Sequence, residues 1–407
     1  MILYGILFKE GFAMELIHLI ELDRLAKLEG QKYSKKRYLL NQLDLTAGKH
    51  FTGIVGPRGS GKTIILKQIA ISTNNSFYLS LDTFKDDLFT VIQSIHRELG
   101  IENFLLDEVH VHSDFDEVLK KVYDFLKIKI VFTSSMALSM YASSYDLSRR
   151  VILKTLYPFS FREFLDLKHN ITFPEVQLDQ IIDGSWNTKL LQAADFFNDF
   201  LRGGNLPFAL EEPSPLPLLS NIVQTVIQKD ITKVARLTLD ELESIDKLLA
   251  FIGRSSVDGI NYSTISGNLK ITKYKSEQYV SLLERAFILH RIFPKGTNLM
   301  KEPKIVMALP YRLLYRSFED SLGGLREDFF IEMVRSLGLD LSYLKSTRGT
   351  KTPDYVLKSK NNIVLEIGGK TKGRTQFKGI QIDKKIILSH SIEVRGIKRP
   401  LFLIGML

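Results

Sequence analysis

The eight residues Gly56-Pro57-Arg58-Gly59-Ser60-Gly61-Lys62-Thr63 decide how the rest of this chain is read, because they fit the spacing G-x-x-x-x-G-K-[ST]. Glycine lets the backbone curl until successive amides face one anion, and a helix starting there adds the positive end of its dipole. In this pattern Lys62 is expected to reach the β- and γ-phosphates of ATP, and the Thr63 hydroxyl to ligand Mg²⁺. Gly56, Pro57, Arg58, Gly59, Ser60 and Gly61 supply the cradle. A glycine-rich turn without a ligand is the competing reading. The flanks argue against it: Phe51 to Val55 is an apolar run of strand length, and Lys62 to Ile71 is a predicted helix.

Outward from the loop, short apolar runs alternate with amphipathic stretches, which predicts a parallel sheet covered by helices. Strands are expected at Phe51 to Val55, Phe77 to Leu81, Phe104 to Leu106, Ile128 to Phe132 and Val151 to Leu156. Helices are expected at Lys62 to Ile71, Asp86 to Leu99, Asp116 to Leu126 and near Ala137 to Tyr141. The third strand runs into Asp107-Glu108. Asp107 is expected to hold the Mg²⁺ water shell and Glu108 to polarise the attacking water. Thr133-Ser134-Ser135 closes the next strand, where Ser134 is a candidate contact to the γ-phosphate or the water; an N-cap role is the alternative. Arg149-Arg150 is a candidate cation for the transition state, with Arg150 taken as the finger, reaching a neighbouring subunit. Asp107-Glu108-Val109-His110 also spells a helicase box, but no second sheet of the same kind follows. His110 and His112 lack the third ligand that a metal pair needs.

Beyond residue 160 the apolar residues recur at helical spacing, as in Leu190, Leu191, Ala194, Phe197 and Leu201. The organisation predicted is a lead-in segment (1–35), a P-loop core (36–160), a helical lid (161–238), a winged helix (239–300) and a C-terminal α/β domain (301–407). Met14-Glu15-Leu16 reads as an alternative start, so residues 1–13 receive no function. In the winged helix, Lys273, Lys275 and Arg285 would meet DNA phosphates, while a purely joining role is the competing reading. In the final domain a helix is expected over Leu325 to Leu337. Strands are expected near Asp354 to Leu357, Ile363 to Ile367, Lys385 to Leu388 and Leu401 to Ile404. Glu327, Asp354 and Glu366 are ordered as in PD-(D/E)-x-K nucleases, so Asp354 and Glu366 form a candidate second Mg²⁺ site. That pattern wants a lysine two residues past the second acid, on the same face of the strand. Gly368 stands there instead, with Lys370 and Gln376 beyond it, and a degraded, scaffold-like domain is the preferred expectation.

With these motifs in place, the chain resembles a family of prokaryotic AAA-type ATPases carrying a winged helix and a C-terminal nuclease-like domain of unknown function. The resemblance covers nearly the whole chain. Its carriers are the 56–63 loop, Leu106 to His110, Thr133 to Ser135, Leu147 to Arg150, Leu156 to Phe164, Gly203 to Pro207, Lys229-Asp230-Ile231 and Glu366 to Lys370. It implies ATP binding and slow hydrolysis. The chain departs from that family in having Arg149-Arg150 where Gly-Arg is usual, and in lacking a clear second arginine sensor; Arg202 is the nearest candidate.

Composition sets the outer bounds. The chain has 407 residues, 44% apolar and 25% charged, which fits a multidomain folded protein and excludes a disordered one. No run approaches the roughly 18 apolar residues of a membrane span, so a cytoplasmic protein without membrane contact is expected. The absence of cysteine excludes disulfides and thiol chemistry. The net charge is +9, and residues 316–407 hold 17 Lys or Arg against 10 Asp or Glu. Such a basic excess admits DNA as a partner, or a solvated lysine-rich surface. The function expected is an ATP-driven switch acting on a macromolecular partner, with an oligomer allowed. The alternatives are an ATP-regulated DNA-binding module and a Mg²⁺-dependent nuclease in the last domain.

Overall fold

Strands that are apolar on both faces form only where helices cover both sides of a sheet, and the first half of the chain satisfies that demand. The computed structural model describes residues 2–43, 50–82, 84–112, 114–135, 147, 149–255, 259–296, 302–344, 353–358, 362–369, 377 and 384–407, with backbone alone for 2–15. Two compact units divide at Tyr157/Pro158.

In the first unit the strands are β1 (Phe51–Val55), β2 (Ser76–Ser80), β3 (Asn103–Asp107), β4 (Lys129–Ser134) and β5 (Val151–Thr155). They pair in parallel in the order β2-β3-β4-β1-β5. Alternate residues of one strand enter opposite cores: Ile54, Tyr78, Leu105 and Val131 pack on one face, and Val55, Leu79, Leu106 and Phe132 on the other. That period of two is the strand geometry itself. Edge strand β5 loses the pattern and is half exposed. The covering helices are α2 (Lys62–Ser72), α3 (Leu88–Leu99) and α4 (Phe115–Phe125). Helix α3 starts on an Asp87 cap that accepts from the Thr90 amide, and it ends on Gly100 at φ +67°. The short helix expected near Ala137 to Tyr141 lies outside the described residues.

The lead-in segment is a long helix, α1 (Ile2–Gln31). It closes the open edge of β2: the Asp23 carboxylate accepts from the Tyr78 amide at 2.8 Å, and Lys27 donates to the Ser76 carbonyl at 2.7 Å. A bare strand edge invites pairing with another chain, and two helix side chains satisfy it here. Gly30 lets α1 approach α2, because a Cβ there would stand 3.0 Å from the Lys67 carbonyl oxygen.

The second unit contains a five-stranded sheet of mixed direction. Its strands are β8 (Asp340–Tyr343), β9 (Tyr355–Lys358), β10 (Ile363–Gly368), β11 (Lys384–Ser389) and β12 (Lys398–Pro400), adjacent in that order. One apolar core joins this sheet to the helix Phe318–Ser336 and to Phe161, Phe164, Phe197 and Phe200 from the segment expected as a lid. Phe161 packs edge-on against Phe402, Phe197 and Phe200 pack edge-on against Phe329, and Phe164 stacks on Phe161. Between them lie three helices (Leu239–Arg254, Tyr262–Leu269 and Lys273–Arg285) and an antiparallel pair, β6 (Leu289–Ile292) with β7 (Lys304–Met307). The pair runs across the expected boundary at residue 300.

The strand expected at Leu401 to Ile404 is corrected to a 3₁₀ turn, Leu401–Met406. Pairing with β11 reaches Ser389 opposite Pro400 and stops, since proline has no amide to continue the ladder. Residues 401–406 are buried all round, so an apolar run carries no period that separates strand from helix.

Candidate functional site

The phosphate loop joins the C-terminal end of β1 to α2. Gly59 (φ +79°) and Gly61 (φ +90°) sit in the left-handed region, which a side chain would strain. Gly56 is needed for a different reason: a Cβ there would meet the Leu156 carbonyl oxygen at 2.2 Å. Helix α2 begins at Lys62, so the amides of its first turn have no acceptor within the helix. The Ser60 hydroxyl is fully buried and has no hydrogen-bond partner. The Lys62 amine, 4% exposed, spans the loop and donates to the carbonyls of Gly56 at 3.0 Å and Pro57 at 2.9 Å. Arg58 and Thr63 are half-buried at the rim. The arrangement is a curl of donors with one ammonium inside it.

Strand order brings the acids to this loop. Because β4 lies between β1 and β3, Ser134 ends directly beside Val55, and Thr133 reaches across to Asp107. Buried Asp107 accepts from the Tyr78 hydroxyl at 2.8 Å on one oxygen and from the Thr133 hydroxyl on the other. Thr133 Oγ1 in turn accepts from the Glu108 amide at 3.0 Å. Glu108 takes a left-handed conformation (φ +53°), which turns its side chain out of strand alternation. One carboxylate oxygen accepts from the Ser135 amide at 3.0 Å, and His110 Nδ1 lies 3.1 Å from that same oxygen. Burial alone would raise the Glu108 carboxyl, but His110, Lys62 and Arg58 outweigh it and hold the group at about 2. Asp82 moves the other way, raised first by burial and then by the neighbouring charges of Glu108 and Asp107.

Lys62, Thr63, Asp107, Glu108 and Ser134 therefore converge on one end of the sheet. Arg150 does not. It precedes β5, whose first residue pairs with Phe51 at the start of β1. Five residues of strand, about 17 Å, separate that edge from the loop. There the guanidinium pairs with Asp124 at 3.1 Å and lies over the Tyr123 ring. Arg202 is likewise engaged elsewhere, over the Phe318 ring and within 3.7 Å of Glu319.

Three residues that lie against these groups were not singled out in the sequence. Tyr78 and Asp82 lie on and just after β2, and their role appears only once β2 is known to neighbour β3. Arg37 donates to the Ser60 carbonyl from a segment 23 positions upstream. The acid that follows the apolar run Phe77 to Leu81 was a usable signal for Asp82; nothing local marked Arg37.

In the second unit, the β9–β10 register sets Leu365 opposite Tyr355, so Asp354 and Glu366 follow as facing neighbours, and the Ile367 amide donates to Asp354 at 2.8 Å. Glu327 is held by Lys304 at 2.7 Å and by the Tyr355 hydroxyl at 2.6 Å. Lys370 and Gln376 lie outside the described residues. Among the described residues, no group of three or more His, Cys, Asp or Glu side chains is placed to hold a metal ion. No described helix is long and apolar enough to cross a membrane.

Residues 48–165 match the AAA domain family, spanning the whole parallel sheet. Residues 200–308 match a domain of unknown function, DUF8612, ending one residue past β7. Uncharacterized protein MJ1637 of Methanocaldococcus jannaschii is 30% identical over 392 residues, covering 84% of this chain and 81% of its own. Among solved structures, Aeropyrum pernix ORC1 in complex with DNA aligns at 12% identity and a TM-score of 0.29, over 77% of this chain and 92% of that one. AMPPCP-bound DnaA from Aquifex aeolicus aligns at 14% identity and a TM-score of 0.23, over 60% of this chain and 86% of that one.

Proposed function

We propose that this chain, which carries an AAA domain and belongs to the same family as the Methanocaldococcus jannaschii protein MJ1637, binds ATP with Mg²⁺ in the 56–63 cradle and hydrolyses it to switch its hold on a macromolecular partner. The observation that carries this reading is the meeting of unsatisfied donors with paired acids at one sheet edge. The buried Ser60 hydroxyl has no hydrogen-bond partner, the first amides of α2 have no acceptor within the helix, and the Asp107 and Glu108 carboxylates stand two strands away. A triphosphate supplies the missing acceptors, and a divalent cation the charge that those acids complement. Thr63 and Asp107 would hold Mg²⁺, which when bound offsets charge on the β- and γ-phosphate oxygens. Glu108, held ionised, would polarise the attacking water, with Ser134 beside it. Arg150 would act only on the nucleotide of a neighbouring subunit, which makes an oligomer part of this proposal.

A phosphate-release assay tests it: the purified chain should release phosphate from ATP only with Mg²⁺, and calorimetry should register MgADP uptake. Well-folded protein that does neither sinks the proposal. Tyr78 gives a finer check. Its hydroxyl fixes one Asp107 oxygen, so Tyr78→Phe should raise the Mg²⁺ concentration needed for half-maximal turnover by about 10- to 100-fold, as loss of a partner behind a metal ligand does. An unchanged Mg²⁺ titration would remove Tyr78 from this role.

We read the three helices from Leu239 to Arg285, with β6 and β7, as a winged helix that joins segments. Lys273 lies 2.5 Å from Glu302 and Lys275 lies 3.3 Å from Glu241, so two of the three cations expected on DNA are already neutralised. The last sheet is given a scaffold role, because the Glu327 carboxylate is committed to Lys304 and Tyr355.

A further inference from the structure

One buried cation touches both the phosphate loop and the point where the chain leaves the first unit. Arg37 is 8% exposed and follows α1. Its Nη1 donates to the Ser60 carbonyl at 2.6 Å, and its Nη2 donates to the Tyr157 carbonyl at 2.8 Å. Tyr157 is the last residue of the first unit, and Pro158 opens the second. A separate contact reaches the same exit. Gly56 lies so close to the Leu156 carbonyl that a Cβ would overlap it, and the Leu156 amide donates to the Val55 carbonyl at 2.7 Å. Backbone contact and the Arg37 guanidinium thus both tie the loop to the exit.

The physical consequence lies in the shape of that group. A guanidinium is planar and holds its donors in a fixed fork, so it keeps two acceptors only while they hold their spacing. Ser60 sits between two left-handed glycines, and its carbonyl direction is set by the curl of the loop. A change in the curl displaces one acceptor of the fork, and the other must follow or the bond is lost.

We propose that Arg37 is a positioning residue that couples the curl of the phosphate loop to the exit of the chain at Tyr157, so that triphosphate in the loop is transmitted to the link between the units. This rests on the nucleotide reading above. Lysine at this position keeps the charge but offers a point donor in place of the fork.

Fluorescence transfer in the full chain tests it. The sequence has no cysteine, so Phe125→Cys and Leu239→Cys, both at exposed positions in separate units, accept a dye pair without background labelling. MgATP should change the transfer efficiency in this parent. Adding Arg37→Lys should leave the MgATP Kd from calorimetry within about threefold while removing most of that change, the signature of lost coupling and not lost binding. An Arg37→Lys chain with the full change overturns the proposal, and so does a parent that binds MgATP without any change. A parent that takes up no MgATP in calorimetry overturns the nucleotide reading, and the coupling with it. Hydrogen exchange on the unmodified chain covers the case of a variant that does not fold. MgATP should slow exchange at Leu156 and Tyr157 as well as in the loop, and protection confined to the loop overturns the coupling.

Discussion

Glu108→Gln is expected to lower phosphate release by about 10²- to 10⁴-fold, the usual worth of a positioned carboxylate acting on water, while leaving MgATP affinity within about threefold. The substitution is nearly isosteric. The amide oxygen of glutamine still accepts from the Ser135 amide, which holds Glu108 now, so the side chain keeps its place and loses only its charge. That charge is secure in the native protein: His110, Lys62 and Arg58 overcome burial and hold the carboxyl at about 2. Glu108 is therefore ionised throughout an assay range of pH 5 to 9, and the deficit of the glutamine variant should be the same across it. Lys62→Ala should behave differently. Its amine sits inside the curl, 4% exposed, and bridges two loop carbonyls, so its removal takes away both the cation and the brace. Binding and turnover should fall together. Calorimetry beside phosphate release separates the two outcomes, and a glutamine variant with parental turnover would strip Glu108 of its role.

This contrast between paired variants mirrors what was legible in the sequence. The loop and the Asp107-Glu108 pair were readable because each is contiguous, bounded by a strand, and built from residue types with one obvious chemistry. The elements around them were readable for the same reason; β1 has the expected ends, and the other four strands differ by a residue or two. What failed to show was contact across sequence distance. Tyr78 is an ordinary strand residue until β2 is placed beside β3, and Arg37 is an ordinary cation until its segment is laid against Ser60 and Tyr157. The remoteness of Arg150 followed from topology alone. In a parallel sheet, a residue just before a strand lies at the opposite edge from one just after it. The error over Leu401 to Ile404 has another source, since a run buried on every side gives no period to read.

The second unit offers a prediction of comparable size that concerns stability alone. Arg312 is buried and pairs with fully buried Asp328 through two hydrogen bonds of 2.7 and 2.9 Å. Its third contact, 3.3 Å to the Ile252 carbonyl, links the Leu239–Arg254 helix to the pair. Gly324 makes room for it, because a Cβ there would stand 2.4 Å from Arg312 Nε. Removing one member of a buried ion pair strands the other, so Arg312→Met should cost the second unit about 3–5 kcal/mol. The double variant Arg312→Met with Asp328→Leu should recover most of that loss, since well-packed apolar replacements of buried pairs are often neutral. The pH dependence has a definite sign. Burial pushes Asp328 up to about 6 while Arg312 pulls it down. A carboxyl raised in the folded state favours folding at pH values below its unfolded pKa, near 4, and that contribution is lost as the pH climbs through 6. Without Arg312 the pull disappears and the loss extends further upward, so Arg312→Met should be more damaging at pH 8 than at pH 5. The single tryptophan, Trp186, lies in the core of the second unit, so its fluorescence in urea follows that unit alone. A single variant no less stable than its parent at pH 8, or equal losses at both pH values, would show that the pair is not a keystone of this core.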